Sequence, residues 1–168
     1  MQIREEQPAD FPLIHRLTEI AFQPMAFSDG SEPGIIDRLR ADGDLKLSLV
    51  AHKPSGESVD IVGHVAFSAV VIGEFAKGWY GLGPVTVHPD HQRKGIGGLL
   101  IKQGLQMLRD NQAEGCALIG DPNYYSRFGF ISDGSVQYED LPEKYVHWMS
   151  FGDAKPKGEI VYPPAFSN

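Results

Sequence analysis

The chain has 168 residues, of which 42% are hydrophobic, and a formal net charge of −7 at pH 7. This length predicts one domain, residues 1–168, with a full hydrophobic core. The acidic balance argues against broad nucleic-acid binding, which needs a basic surface. No apolar run approaches the roughly 18 residues of a membrane span, and the chain does not open with a signal-peptide pattern, so we expect a soluble cytoplasmic protein without membrane attachment.

The N-terminal region predicts one short strand and two helices. The strand covers residues 3–5, and a helix then opens at Pro8, with apolar residues recurring at helical spacing up to Phe22. A loop rich in Pro, Ser and Gly is expected at 23–34 and a second helix at 35–41.

A hairpin of half-buried strands is predicted next. Residues 45–52 alternate apolar and polar side chains, 53–58 supply a Pro/Gly turn, and 60–72 form a β-branched run. His64 lies inside the second strand. A histidine in such a place is more often a hydrogen-bonded sheet residue than a catalyst, and we favour that interpretation.

Residues 79–87 form the predicted central strand, which contains Gly83 and Pro84. Proline cannot donate a hydrogen bond to a neighbouring strand, so within an apolar strand it marks an edge or a bulge. We therefore expect the strand to diverge from its neighbour here, leaving free backbone groups at 85–87.

The stretch 82–100, LGPVTVHPDHQRKGIGGLL, joins this strand to a helix that glycines open. Free N–H groups at a helix N-terminus favour anions, and phosphate is the expected ligand. A dinucleotide fingerprint would need a third glycine after Gly95 and Gly97, but that place is Leu100. A Walker loop would need Gly-Lys-Ser/Thr, and 97–99 is Gly-Gly-Leu.

The C-terminal half alternates helices and strands. Cys116 lies in an apolar segment and is interpreted as a small buried hydrophobic residue. The predicted elements are an amphipathic helix at 95–111, a strand at 116–119, a short helix from Pro122 to near Gly129, and two strands at 145–151 and 159–162 that close the sheet.

Two motifs give a family resemblance. Residues 92–97, QRKGIG, resemble the Q/R-x-x-G-x-G/A acyl-CoA pyrophosphate loop of the GNAT family of N-acetyltransferases. Downstream, Tyr125 to Phe130 resembles that family's Y-x-x-x-G-F signature. The form of 120–130, GDPNYYSRFGF, is most similar to the bacterial YhbS-like branch of the family.

The resemblance implies an α/β (α+β) fold with a mixed, twisted sheet flanked by helices and a splayed central strand pair. It further implies acetyl transfer from acetyl-CoA to a primary amine by direct attack, without a metal. Tyr125 would be the general acid that protonates the departing thiolate, while Tyr124 would serve packing. The residues expected to bind acetyl-CoA are Val85, Thr86, Val87, Gln92, Arg93, Lys94, Gly95, Ile96, Gly97, Gly98 and Asn123.

One position departs from the family pattern. Many members carry an asparagine seven residues before the tyrosine, where this chain has Leu118. Asn123 is the candidate to replace it. Lys102 and Arg109, on the polar face of the helix at 95–111, are interpreted as solvated charges.

The sequence leaves both the acceptor and the general base open. The resemblance implies a small-molecule or peptide amine acceptor, and dimers are common in the family. The loop with Phe27, Asp29 and Glu32 is either the specificity element or a solvated linker. The candidates for the base are His64, Glu74, His88, Asp121 or a chain of waters.

Two other function classes fit the sequence less well. A non-catalytic acyl-CoA-binding regulatory module would keep the loop, but it would not need a phenol beside the thiol. A nucleotide-binding protein is disfavoured because both phosphate-loop fingerprints fail.

Overall fold

The structure, a computed structural model, describes residues 1–26, 28–55, 58–74 and 77–167. Within these residues the strands are β1 (Gln2–Glu5), β2 (Leu45–Ser55), β3 (Ser58–Ala69), β4 (Val71–Ile72), β5 (Trp79–Val87), β6 (Gly115–Ile119), β7 (Val136–Gln137), β8 (Val146–Ser150) and β9 (Gly158–Val161). The α-helices are α1 (Phe11–Phe22), α2 (Glu32–Asp42), α3 (Ile96–Asp110) and α4 (Pro122–Tyr125).

The main sheet has six strands in the order β1-β2-β3-β5-β6-β8. Its pairs are antiparallel except β5 with β6, which are parallel and joined through the crossover helix α3. The predicted mixed sheet is confirmed.

Helices cover both faces of this sheet. On one face, Ile14 and Leu17 of α1 pack with Ile36 of α2 against β2 and β3. On the other face, α3 packs closely over β3, because Gly63 leaves room for Ile96: a Cβ at Gly63 would lie 2.9 Å from Cγ2 of Ile96. These two helical layers fix the ends of α1 and α3 beside β5, where the candidate site lies.

The structure corrects two strand predictions, one at 60–72 and one at 159–162. The run at 60–72 is not one strand: β3 ends at Ala69, and β4 pairs with β9 in a separate three-stranded sheet ordered β4-β9-β7. The strand predicted at 159–162 therefore does not close the main sheet. That edge is β8, which pairs with β6 along its whole length. The N–H of Val70 still donates to the carbonyl of Trp79 in β5, and the chain leaves the main sheet after this residue.

The predicted loop at 23–34 is shorter than expected. Helix α2 begins at Glu32, with Pro33 in its first turn, a position that proline tolerates. Ser28 donates a 2.5 Å hydrogen bond to Oε1 of Glu32, and Asp29 accepts one from the N–H of Ser31. Phe27, and residues 56–57 of the predicted turn, lie outside the described residues.

In the described part of the chain, none of the helices has the length and apolar character to cross a membrane.

Candidate active site

The central strands separate at one end of the sheet. β5 and β6 pair at only three positions, Trp79 with Gly115 through Gly81 with Ala117. Beyond Gly81, β5 continues to Val87 and pairs with β3 alone, while β6 stays paired with β8. A gap therefore opens between two adjacent strands, as predicted.

The gap coincides with a bulge in β5. Val65 pairs with Val85 and Phe67 with Leu82, so β5 holds one more residue than β3 between these pairs. The extra residue falls at Gly83–Pro84. The bulge predicted from Pro84 is confirmed, and it turns the second half of β5 away from β6.

Backbone groups of β5 face the gap. The N–H of His88 donates to the carbonyl of Val62 in β3, at 2.8 Å. Backbone groups alternate in direction along an antiparallel strand, so those of Val87 and Val85 point to the opposite edge. In agreement, the carbonyl of Val87 accepts a hydrogen bond from Nε2 of Gln92, at 3.1 Å. The backbone of Thr86 points instead to β3.

The loop after β5 delivers the N-terminus of α3 beside this gap. Gly95 caps the helix with φ of +84°, and Arg93 has φ of +64°. Both values lie in the left-handed region, which turns successive N–H groups toward one side. The fifteen-residue helix α3 adds its unpaired N-terminal N–H groups and the positive end of its dipole. This arrangement favours an anion.

A cavity of about 510 Å³ lies over this loop. It is lined by Val87, His91, Gln92, Arg93, Gly95, Ile96, Gly97, Gly98, Leu99, Lys102, Tyr124, Arg127 and Phe128. We call it the loop cavity.

Three cationic side chains border the loop cavity: Arg93, Lys102 and Arg127. Sequence reasoning missed Arg127, although its place three residues after Tyr124 in a helical segment was a usable signal. Its guanidinium lies 4.7 Å from the centre of the Tyr124 ring. Lys102, interpreted as a plain solvated charge, is exposed but borders the cavity. Lys94 is exposed and lies outside the described lining.

Arg109 is likewise more than a solvated charge. Its guanidinium lies 4.8 Å from the ring centre of Phe151. One of its nitrogens is 3.3 Å from Sδ of Met149. It therefore fastens α3 to the end of β8.

A second cavity, of about 380 Å³, fills the gap between β5 and β6. Its lining is Ala21, Phe22, Met25, Leu82, Gly83, Pro84, Val85, Thr86, Val87, Gln92, Ile119, Gly120, Asp121 and Tyr125. We call it the splay cavity. Val87 and Gln92 line both cavities, so the two are neighbours along one edge of β5.

Tyr125 lines the splay cavity, with a half-buried side chain. Asp121 caps α4 by accepting the N–H of Asn123 at 2.9 Å, and this cap fixes the turn that carries the tyrosine. The ring centre lies 6.1 Å from that of His147 and 6.3 Å from that of Phe130. Burial raises the pKa of Tyr125 to about 12, so the phenol keeps its proton at neutral pH.

The adjacent tyrosine serves the other cavity. Tyr124 lines the loop cavity, and its hydroxyl oxygen lies 3.2 Å from where a Cβ on Gly97 would stand. Tyr124 therefore faces away from the splay cavity, as predicted. Besides packing against Phe128, it also borders the glycine loop. Asn123 is exposed and lies outside the described lining of both cavities, so the geometry gives its predicted role no support.

The four candidate bases are scattered. Only Asp121 lines the splay cavity. Glu74 is exposed in a turn after β4. His88 accepts a hydrogen bond from the N–H of Asp90 beside the loop. His64 is fully buried in β3.

Comparison with known proteins decides the family. Residues 49–132 match the family model described as "Acetyltransferase (GNAT) domain". The uncharacterised N-acetyltransferase YhbS of Escherichia coli (strain K12) is 35% identical over 130 residues, which cover 77% of this chain and 73% of YhbS. The chain belongs to the GNAT family of acetyltransferases. The resemblance drawn from the two motifs is confirmed, including its YhbS-like form.

Solved GNAT structures superpose on almost the whole chain. A GNAT family acetyltransferase from Brucella melitensis, solved in complex with acetyl-CoA, is 46% identical, with a TM-score of 0.85 over 98% of this chain and 97% of that one. Escherichia coli YhbS in complex with CoA is 28% identical, with a TM-score of 0.89 over 99% and 92% of the two chains. The predicted fold class is therefore confirmed.

The described residues contain no group of three or more His, Cys, Asp or Glu side chains that could hold a metal ion.

Proposed function

We propose that the chain, acting as one domain over residues 1–168, transfers an acetyl group from acetyl-CoA to a primary amine, with Tyr125 as the general acid. The observation that carries the proposal is the position of Tyr125, whose side chain lines the gap that β5 and β6 leave open. The acetyl-CoA complex of the 46% identical Brucella melitensis protein supports the choice of acyl donor.

The two cavities suit the two ends of acetyl-CoA. The pyrophosphate would lie against the N–H groups of the loop and α3, with Arg93 and Arg127 nearby. The pantetheine arm carries amide groups, and these would pair with the outward-facing backbone of Val85 as an added strand does, which leaves the N–H of Val87 for the thioester carbonyl. The thioester would then reach the splay cavity.

Much of the rate enhancement in this mechanism would come from binding the amine and the thioester next to each other in a reactive geometry. The amine nitrogen attacks the thioester carbonyl, a C–N bond forms, and the N–H of Val87 stabilises the oxyanion of the tetrahedral intermediate. The nitrogen, now positively charged, gives one proton to a base or to solvent, and the oxyanion collapses. The C–S bond then breaks. Tyr125 gives its proton to the sulfur, and a proton with pKa of about 12 is available for this at any pH near neutrality.

The acceptor would enter from the end of α1. Phe22 lines both the splay cavity and a third cavity of about 320 Å³, which also includes Glu19, Ser28 and Pro33. An apolar side chain next to a carboxylate suits an amine with a hydrocarbon part, from a small molecule or a peptide. The segment with Ser28, Asp29 and Glu32 is thus proposed as the specificity element.

A panel of primary amines tests the function. Each is mixed with the protein and acetyl-CoA, and release of free CoA thiol is followed together with the mass of the acetylated product. We expect thiol release that depends on the amine. Tight acetyl-CoA binding without turnover on small amines, amino acids and peptides would instead favour the non-catalytic acyl-CoA-binding module.

A further inference from the structure

One helical turn brings two chemical groups to the splay cavity. Asp121 directly precedes α4 and Tyr125 ends it, and both residues line the cavity. The N–H of Tyr125 donates to the carbonyl of Asp121 at 3.1 Å, which fixes the two residues one turn apart. A phenol and a carboxylate therefore reach the same cavity from a single turn.

Asp121 is the one charged side chain in the described lining of the splay cavity. The other polar side chains of that lining, Thr86, Gln92 and Tyr125, carry no charge at neutral pH. The three other candidate bases lie outside it. A proton that leaves an acceptor nitrogen in this cavity therefore meets one carboxylate there.

The carboxylate of Asp121 keeps one oxygen available. Its Oδ1 accepts the N–H of Asn123 at 2.9 Å and so caps α4. Among the residues that the structure describes, none donates a hydrogen bond to Oδ2 or places a cation beside it. The side chain is also exposed. Asp121 can therefore hold the turn in place and still bind a ligand or exchange a proton with water.

We infer that Asp121 is the general base of acetyl transfer, and that its second carboxylate oxygen takes the proton lost by the acceptor nitrogen. The inference rests on the proposed function, because it concerns the nitrogen of the acceptor amine. The sequence left four side chains open for this role, and the lining of the splay cavity selects one of them. Acid and base then come from the two ends of the same turn.

Protons and electron pairs balance over the reaction. The lone pair of the amine forms the C–N bond, and an electron pair of the carbonyl moves to its oxygen. The nitrogen, now positively charged, gives one proton to Oδ2 of Asp121. The carbonyl then re-forms, the C–S bond breaks with its electron pair on sulfur, and Tyr125 protonates that sulfur. Asp121 has gained one proton and Tyr125 has lost one.

Proton transfer from Asp121 to Tyr125 resets the site. In model peptides an aspartic acid side chain is a stronger acid than a tyrosine by about six pH units. Burial widens this difference, because it raises the pKa of Tyr125 to about 12. The proton therefore returns to the phenolate through water, which reaches the exposed side chain of Asp121. No further co-reactant is needed.

A carboxylate is a sufficient base for this step. The nitrogen of the tetrahedral intermediate is bonded to a carbon that bears electron-withdrawing oxygen and sulfur. Its N–H is therefore more acidic than that of a free alkylammonium ion. The step needs a proton acceptor in the right place more than a strong base, and Asp121 lies in the same cavity as the proposed acid.

Asp121→Asn is the decisive variant, because it removes the charge and keeps the cap. Asparagine caps helices about as well as aspartate does, so its amide oxygen can still accept the N–H of Asn123 and hold Tyr125 in place. We expect kcat at saturating amine to fall by about 100-fold. The melting temperature and the affinity for acetyl-CoA should stay unchanged.

Asp133→Asn is the matched control. Asp133 accepts the N–H of Ser135 at 3.0 Å, two residues further along the chain, as Asp121 accepts that of Asn123. Asp133 lies outside the described lining of both cavities. The control changes the same kind of turn by the same substitution, so it should keep the kcat of the parent.

The division of the effect between kcat and KM separates a base from a group that only binds the amine. Loss of a base lowers kcat at saturating amine, and single-turnover kinetics would follow the formation of the C–N bond directly. A higher KM for the amine with the kcat of the parent would overturn the inference and make Asp121 a binding residue. Parent values of both constants in Asp121→Asn would overturn it as well.

Hydrolysis of acetyl-CoA tests the inference without an acceptor amine. Water takes the place of the amine in the splay cavity, and it too must lose a proton as it attacks. Release of free thiol from acetyl-CoA over several hours should be slower with Asp121→Asn than with the parent or Asp133→Asn. Equal rates in all three would overturn the inference whether or not an acceptor is found. A parent that hydrolyses acetyl-CoA faster than Asp121→Asn but acetylates no amine would count against the proposed function alone.

Discussion

The ring of Tyr125 lies directly against Gly120, so closely that a methyl group on Gly120 would overlap the ring. Gly120 cannot move aside easily. Its carbonyl accepts a hydrogen bond from Nε2 of His147 at 3.0 Å, and its N–H donates to the carbonyl of Tyr145 at 2.9 Å. The absence of a side chain at the end of β6 is therefore what allows Tyr125 to reach the splay cavity.

Gly120→Ala should move Tyr125 away from the splay cavity. We expect kcat to fall by about 10-fold or more, since small displacements of a catalytic group are costly, while acetyl-CoA binding in the loop cavity is retained. Steady-state kinetics and calorimetry would measure both quantities. Gly152→Ala is the control, because a Cβ at Gly152 would contact no atom within 4 Å. Unchanged kcat in Gly120→Ala would contradict the importance of this contact.

Tyr125→Phe should lower kcat by about 100-fold, because it keeps the ring and removes the acid. The affinity for acetyl-CoA should change little, since one hydrogen bond is worth about 1 kcal/mol net. With a pKa of about 12 for Tyr125, the parent should show no loss of the acid form up to pH 10. Single-turnover kinetics over pH 6 to 10 would check both expectations.

Tyr138→Phe is the matched control for this loss. Tyr138 packs against Tyr162, beside the small sheet and away from the described lining of both cavities. The comparison applies when the chemical step limits turnover. Equal kcat values in Tyr125→Phe and Tyr138→Phe would then mean that a group other than Tyr125 protonates the departing thiolate.

Gly97→Leu should fill the loop cavity. The side chain would start 3.2 Å from the hydroxyl of Tyr124 and 3.6 Å from Val87. We expect the KM for acetyl-CoA to rise strongly, by about 10-fold or more, since the pyrophosphate could not reach the N–H groups of α3. Gln103→Leu, on the exposed face of the same helix, adds a similar side chain away from the cavity. Equal KM values in the two variants would place the phosphates elsewhere.

Acetyl-CoA should raise the melting temperature, whereas ATP and NAD should not. A ligand that binds only the folded state stabilises it by about 2.7 kcal/mol at 100 times its Kd. The loop cavity suits a pyrophosphate and the splay cavity suits a pantetheine arm. ATP and NAD carry linked phosphates but lack the pantetheine arm. Differential scanning fluorimetry would compare the three, and an equal shift with ATP would refute the assignment of acetyl-CoA to this site.

Acid should destabilise the protein through His64. Its pKa is about 4 in the folded state and about 6.5 in an unfolded chain, so the unfolded state binds more protons between these values. Stability is therefore complete above pH 6.5 and falls as the pH decreases, by about 2 to 3 kcal/mol at pH 4.5. Urea unfolding at several pH values should show this slope in the parent. In His64→Gln the slope should be much smaller, and a slope of the same size would assign it to other groups.

The loop and the position of Tyr125 beside the splay cavity were predictable because their signals are local. Gly95 provides a left-handed turn at the start of a helix, and a proline inside an apolar strand leaves a bulge whichever strands lie beside it. Tyr125 follows from a short motif that builds a single helical turn after a strand. In each case the backbone conformation depends on residues a few positions apart, so the sequence alone was sufficient.

The second sheet and the hydrogen bonds around the buried His64 depended on the tertiary structure. Ser48, which lies 2.7 Å from Nε2 of His64, is 16 residues away from it in sequence and 42 from its other partner, Glu6. Thr86 stands opposite His64 only through the register of β3 with β5. Alternating hydrophobicity shows which side chains enter the core, but not which residue of another strand stands opposite. That register is set by bulges and by packing of the whole sheet against its helices, and this is why the tertiary structure alone decided which buried polar groups meet.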